Sequence, residues 1–508
     1  MGEMTSWFAG GTTLTGADLG VLGAILGLMF FIGWYFGRKE STTDDFFLGS
    51  REIPWWVACL SIVATEISAM TIVGVPAITY RENWNYAQFF IGSASSRIVI
   101  AFLFIPAFYK FKCTTIYEFL LHRFGAMTQY TATCFFFATR LLASGVRLMA
   151  ACLAVSVLLG WHIVPVIALF SIVGILYIGY GGIKAVVWTN VLQALTFIIA
   201  GLATIYYLTG RIDGGLATVF KVAGETNQLQ VWNWGPALGA PDFVKKFFSD
   251  PNILWVAILN GFFGSMAAFG TDHELMQKLL TVETRRESQR TMVLSIVGSF
   301  AVLIIFMLIG TELLAFYKLN PGLALPEKLD KIYPHFASTV MPPMLRGLVF
   351  AAIVMASIDS PLASLSAVFV TDLYKPLMRR NATEGHYLIV SRIAVVIFAI
   401  LLGLIAYYFS FFDKMLWLAF KIGGVTFGSL LGVFLFGLMT QRHADKANVA
   451  SMILMAAINA WLLYLSEIKV LPLGWSWLVI LGTVGTFILS WLLGPLLDGD
   501  KRGQTKPS

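Results

Sequence analysis

A chain of 508 residues that is 58% hydrophobic and only 12% charged cannot be divided into soluble domains. Apolar runs of about 20 residues recur along its whole length, the pattern of an all-α polytopic membrane protein. The formal net charge of +7 sits in short segments between those runs, so it marks topology and excludes a nucleic-acid-binding reading. Cys59, Cys113, Cys134 and Cys152 lie in or beside the runs without metal spacing, which excludes a disulfide framework and a zinc site.

About thirteen spans are predicted, at 17–37, 54–80, 87–111, 128–159, 163–181, 184–208, 252–270, 289–316, 344–369, 386–408, 412–438, 446–465 and 473–495. The first span lacks the basic region of a cleavable signal and is expected to be retained. The second carries a single charge, Glu66, among Ser61, Thr65, Ser68 and Thr71. An acid at mid-depth must face protein, water or an ion. The run ISAM, with Gly74 and Pro76 beyond it, suits an unbroken helix poorly. Two half-helices meeting at Glu66–Met70 are predicted, with unpaired backbone groups exposed between them. A helix kinked for packing, with Glu66 satisfied by a neighbouring arginine, is the other reading.

Farther along, Arg140 and Arg147 lie two turns apart on one face of span 128–159, with Ser144 between them. Asn190 and Gln193 are one turn apart and can line a shared polar surface. The span beginning at Asn252 holds Asn260-Gly261-Phe262-Phe263-Gly264, a second candidate break, and leads into Asp272, His273 and Glu274. Span 344–369 places Ser357, Ser360 and Ser364 on one face with Asp359 beside them. Pro361 has no N–H, so the Ser357 carbonyl loses its helical partner. That all-oxygen surrounding suits a hard monovalent cation better than a transition metal. A proline-kinked helix whose serines bond their own backbone is the alternative.

Lysine and arginine then set orientation. The segments holding Arg38, Lys39 and Arg51, then Lys110, Lys112 and Arg123, then Lys278, Arg285, Arg286 and Arg290, fall on one side. Lys375, Arg379 and Arg380, Arg442 and Lys446, and the Lys501–Lys506 tail fall on the same side. This predicts an external N-terminus and a cytoplasmic C-terminus.

The stretches ATEISAMTIVGVPA (64–77), YEFLLHRFG (117–125), GGIKAVVWTNVLQ (181–193), GTDHELMQKLL (270–280), LRGLVFAAIVMASIDS (345–360), TDLYK (371–375) and GVFLFGLMTQR (432–442) resemble the solute:sodium symporters. The resemblance runs from the first span to about Lys446. It implies a five-plus-five inverted repeat with a broken first helix in each repeat. The repeats would run 54–208 and 252–438, with the extra helix 17–37 before them and two helices, 446–495, after, in one transmembrane domain. It implies a sodium site built from Ala64, Ile67, Ile353, Ala356 and Ser357. The chain departs from the family pattern at Ala356-Ser357, where members commonly have two adjacent hydroxyl residues. It departs again at Asn190, where many carry aspartate. Asp359, Ser360 and Asn190 form a candidate second cation site.

The expected function is a sodium-coupled secondary active symporter importing a small organic solute. Arg147 at membrane depth requires an anionic partner, which points to a carboxylate-bearing anion or zwitterion. Glu66, Ser68, Thr71, Gln88, Arg147 and Asn260 are the candidate solute residues. Alternatives are a proton-coupled symporter, with Glu66 or Asp359 as carrier, and a sugar symporter in which Arg147 is structural. The coupling ion is Na+, with H+ as the alternative, and the partners are the solute and lipid, a monomer sufficing. An enzyme is disfavoured because no span holds a paired His/Glu metal motif, nucleophile elbow or cofactor motif.

Overall fold

The computed structural model describes residues 14–38, 42–326, 329–356, 361–411 and 415–499, which contain helices and connecting turns but no β-strand. Among the described residues, nine helices at the thirteen predicted spans are long and apolar enough to cross a membrane, and the bent pair at 55–81 makes ten. The predicted spans 163–181, 344–369 and 412–438 contain the shorter apolar helices Ile163–Leu176, Leu345–Met355 and Gly423–Met439.

The helices used below are labelled in chain order. Helix α1 (Gly16–Gly37) starts at Thr15, whose backbone N–H donates to Asp18 Oδ2 at 2.8 Å. Its Phe31, Trp34 and Tyr35 point outward, as lipid-facing aromatics do. Next come α2 (Trp55–Glu66), α3 (Ala69–Arg81), α4 (Tyr86–Val99) and α5 (Ala126–Leu159). Helix α6 (Ile163–Thr209) turns sharply at Gly182, with φ +48° and ψ −149°, a conformation that needs glycine. That turn separates the two spans predicted at 163–181 and 184–208. Helices α7 (Leu254–Gly270), α8 (His273–Leu280), α9 (Arg285–Leu319), α10 (Leu345–Met355), α11 (Pro361–Val368) and α12 (Glu384–Phe409) follow.

Burial follows helical period. On α12, Ile389, Ile393, Ile397, Ile400 and Leu404 are exposed on one face, while Ser391, Ala394, Val395, Phe398 and Leu402 are buried on the other. An apolar stripe turned outward is what a hydrocarbon solvent selects. Polar side chains are instead gathered inside, including the fully buried Arg97 and Lys278.

The first expected break is present. Helix α2 stops at Glu66, Ile67 is extended (φ −79°, ψ 113°), and α3 restarts after Ser68, at 57° to α2. The cause is local: Ser68 takes an N-cap conformation and its N–H donates to Thr71 Oγ1 at 3.3 Å, so the sequence Ser-Ala-Met-Thr opens a new helix. The second expected break, at Asn260–Gly264, is overturned, because α7 runs unbroken from Leu254 to Gly270. Its glycine serves close packing. A Cβ on Gly261 would overlap the Phe89 carbonyl oxygen of α4, and one on Gly92 would overlap the Ile258 carbonyl of α7.

Candidate functional site

Two helix C-termini supply the core of the site. The last carbonyls of a helix have no partner inside it, and the macrodipole gives that end partial negative charge. Helix α2 ends at Glu66 and α10 ends at Met355, with Ala356 as its C-cap. Helix α6 ties the two ends together. Asn190 lies within hydrogen-bond reach of Ser61 Oγ (3.0 Å) and Thr65 Oγ1 (3.3 Å), while one turn on, Gln193 Nε2 donates to the Met355 carbonyl. Ala64, Ile67, Ile353 and Ala356, four of the five residues expected at the sodium site, are therefore buried at these two ends. The fifth, Ser357, lies outside the described residues, as do Asp359 and Ser360 of the expected second cation site.

Three cationic side chains converge on the end of α2. Arg147 Nη2 donates to the Thr65 carbonyl at 3.2 Å. Lys278 Nζ donates to Thr65 Oγ1, and Arg97 Nη2 pairs with Glu66 Oε1. Ser299 Oγ donates to the other Glu66 oxygen, and Arg97 also reaches Ser295 Oγ (3.2 Å) and Ser299 Oγ (3.1 Å). The Arg97 guanidinium lies 4.2 Å from the Phe269 ring centroid, stacked where a cation meets the negative face of the ring.

Glu66 is thus balanced by Arg97 and not by Arg147, and both its oxygens have partners. Glu66, expected among the solute residues, is held here by protein side chains. Gln88 departs further from expectation: its amide donates to the Asn85 and Asn252 carbonyls at 3.0 Å each and accepts from Asn233 N–H at 2.9 Å. Those contacts tie α4 to the segment before α7 and use both ends of the Gln88 amide. Asn260 is buried on α7, next to the Gly261 contact with α4. Ser68 and Thr71 lie at the break itself. Arg147 borders a cavity of about 50 Å³, room for one or two waters, with Ser144, Phe170, Ala356 and Pro361 also on its wall. Arg140, by contrast, is consumed by ion pairs with Asp272 and Glu274 of the α7–α8 junction. There Asp272 also caps α8, accepting from Glu274 N–H at 3.0 Å.

Sequence reasoning missed two of these side chains. Arg97 is the only charge in its span before Lys110, set among Ser93, Ser95 and Ser96, and the mid-membrane rule that singled out Glu66 applies equally to it. Lys278 counts in the sequence reading as a topology determinant in a basic segment; the structure instead buries it completely on α8. Its position in an eight-residue helix folded back toward α2 is a tertiary fact without a local signal.

A family profile described as Sodium:solute symporter family matches residues 46–454. The chain belongs to this family. It is 28% identical over 454 residues to the sodium/sialic acid symporter SiaT of Proteus mirabilis, covering 87% of this chain and 88% of that one. It is 26% identical to the sodium/sialic acid symporter NanT of Aliivibrio fischeri, covering 94% and 92%. The human sodium-coupled monocarboxylate transporter 1 is 25% identical, covering 87% of this chain and 72% of the relative. A solved outward-open, substrate-bound Na+-coupled sialic acid symporter superposes with a TM-score of 0.84 at 24% identity, covering 96% of this chain and all of that one. This sodium:solute symporter therefore has the inverted-repeat transporter fold. The family is one of transporters, and its members sit in membranes.

Proposed function

We propose that this sodium:solute symporter imports a small organic anion or zwitterion, and that the carboxylate of that solute meets Arg147. The observation that carries the reading is the position of the Arg147 guanidinium, between the carbonyl end of α2 and the wall of a partly open cavity. A planar fork of donors suits a carboxylate, and the neighbouring helix ends offer carbonyls to a sodium ion. Sodium bound at Ala64, Ile67, Ile353, Ala356 and Ser357 would favour the state in which α2 and α10 are held together. That completes the solute site near Ser68 and Thr71, before the repeats 54–208 and 252–438 rock and release both ligands inward. One charge moved across 100 mV supplies about 2.3 kcal/mol toward that cycle. Relatives that carry sialic acids and monocarboxylates, all carboxylate solutes, support the choice of class.

Proteoliposomes test it. An imposed sodium gradient should drive uptake of sialic acids or short monocarboxylates and leave neutral sugars outside, and Arg147→Lys should raise the half-saturating solute concentration about tenfold or more. Uptake of a neutral sugar indifferent to Arg147→Lys would return that residue to a structural role; uptake driven by a proton gradient alone would replace sodium. The orientation follows from the basic segments, with the N-terminus outside a bacterial inner membrane and the C-terminus within. In a background without the four native cysteines, Asn83→Cys should react with an impermeant thiol reagent in intact cells and Arg380→Cys should not.

A further inference from the structure

We propose that the segment 234–255 holds one phospholipid of the surrounding leaflet, with an acyl chain in an apolar groove and its phosphate against Lys245 and Lys246. The inference needs only the membrane location and rests on neither the sodium site nor Arg147.

The groove has a volume of about 340 Å³ and lies between a loop, a short helix and the start of α7. Trp234 and Leu238 come from the loop, Phe243 and Phe247 from the helix Phe243–Ser249, and Ile253 and Trp255 from the start of α7. Backbone hydrogen bonds fix these pieces. Leu254 N–H donates to the Asn233 carbonyl at 2.7 Å, and Gly474 N–H donates to the Phe248 carbonyl at 2.6 Å. The Phe247 and Phe248 ring centroids lie 5.6 and 5.0 Å from that of Trp477, in the first turn of the helix Ser476–Leu497. Gly235 has φ +78°, and a Cβ there would meet Ile253 at 3.1 Å, so the loop turns back hard against α7.

The walls select a hydrocarbon chain. Small-molecule pockets converge a few polar groups on their ligand, whereas none of these six side chains carries a charge or a hydroxyl. Leu238, Trp234 and Trp255 are 87%, 65% and 57% exposed, and no other large hydrophobic side chain among the described residues is as exposed as Leu238. Apolar surface of this kind is costly against water and stable against lipid, and tryptophans gather where acyl chains meet headgroups. Trp255 and Leu259, one turn apart and both exposed, continue the groove along α7. It therefore opens onto a face that a span turns to hydrocarbon.

Charge sets the headgroup end. Phe243 and Phe247, stacked at 5.8 Å, share the groove side of the short helix, and the exposed Lys245 and Lys246 stand between them in sequence on its other sides. Lys246 pairs with Asp242 at 2.7 Å, an exposed contact that contributes little and that a phosphate can replace. Lys245 has no ion pair among the described residues. Asp242 and Asp250 keep the segment near neutral, so the attraction is the contact between ammonium and phosphate.

Photolabelling in lipid tests this. The full-length chain is reconstituted in phosphatidylcholine vesicles holding a trace of phosphatidylglycerol with a diazirine in its acyl chain, and labelled peptides are mapped by mass spectrometry. The outward stripe of α12, from Ile389 to Leu404, samples ordinary boundary lipid and serves as the reference. Peptides covering 234–255 should carry about fivefold or more label per residue than that stripe. Label at or below the reference, as a second copy of the chain seated there would give, overturns the proposal whatever any variant does. Ala237→Trp, which sets an indole in the groove wall, should bring 234–255 down to the reference; excess label persisting in a folded Ala237→Trp protein overturns the groove. Lys245→Glu combined with Lys246→Glu should also remove the excess. Excess label unchanged in that double variant, or matched by a diazirine-bearing fatty alcohol without a phosphate, overturns the phosphate contact.

Discussion

The α2–α3 segment and α7 each stand first in one of the two expected repeats, and each sets small residues beside a polar one near mid-span; only the first breaks. At the end of α2, Ser68 and Thr71 bond within their own turn, so the chain can stop one helix and cap the next without leaving a backbone donor stranded. In α7 the small residues make no such local bond. Gly261 and Gly92 instead let two backbones touch, and the contact needs both helices straight. Small residues in a membrane helix therefore signal a break when they are hydroxyl-bearing and spaced as a cap, and an interface when they are glycine facing glycine. Charge follows the same division. The broken pair gathers Glu66, Arg97, Arg147 and Lys278, whereas α7 has no acidic or basic residue along its length.

The largest effect expected from this difference is in α7. Gly261→Leu forces a side chain into the Phe89 carbonyl and the Ser93 N–H, which are backbone and cannot rotate away. A loss of several kcal/mol and little folded protein in detergent extracts are expected, since overpacking against backbone exceeds the usual cost of an added methylene. A Gly261→Leu protein that melts like the wild type would mean that α7 and α4 are not in close contact.

How much of this was legible in the sequence follows from the same contrast. The spans were readable because lipid imposes apolar length, and the α2 break because its cap is contiguous in sequence. Glu66 and Arg147 could be named for the reason that any ionised group at mid-depth is costly. Their partners could not: Arg97 meets Glu66 from 31 positions away and Lys278 meets Thr65 from 213, pairings set only when the helices pack. The misreading of Gly261 has the same root, because a glycine does not record whether its missing side chain makes room for a turn or for a neighbour.

The next effect is at the ion pair beside the break. Arg97 is fully buried, while the Glu66 side chain keeps 27% of its surface exposed. Glu66→Gln therefore strands a charge that water cannot reach and should cost about 3–5 kcal/mol, whereas Arg97→Met strands one that water partly reaches and should cost about 2–3 kcal/mol. The double substitution should recover part of either loss, because neither charge is then left alone. Thermal unfolding of the four proteins in detergent measures both the order and the recovery. Equal single-variant losses with no recovery would show that Arg97 acts through Ser295, Ser299 and Phe269 and not through Glu66.

The smallest effect separates glycine used for packing from glycine that is merely present. Gly74 lies within α3, at ordinary helical angles, and a Cβ built there meets nothing within 4 Å. Alanine at that position should stabilise the half-helix by about 0.5–1 kcal/mol, since it loses less backbone entropy on folding and clashes with no neighbour. It should not mend the break, because Ile67 is extended and Ser68 caps the following turn regardless of what stands six residues later. A small rise in melting temperature with sodium-driven uptake unchanged is therefore the expected outcome for Gly74→Ala. If uptake fell sharply while stability rose, α3 would need to bend at Gly74 during the cycle, and the break at Ile67–Ser68 would not be the only joint in the span.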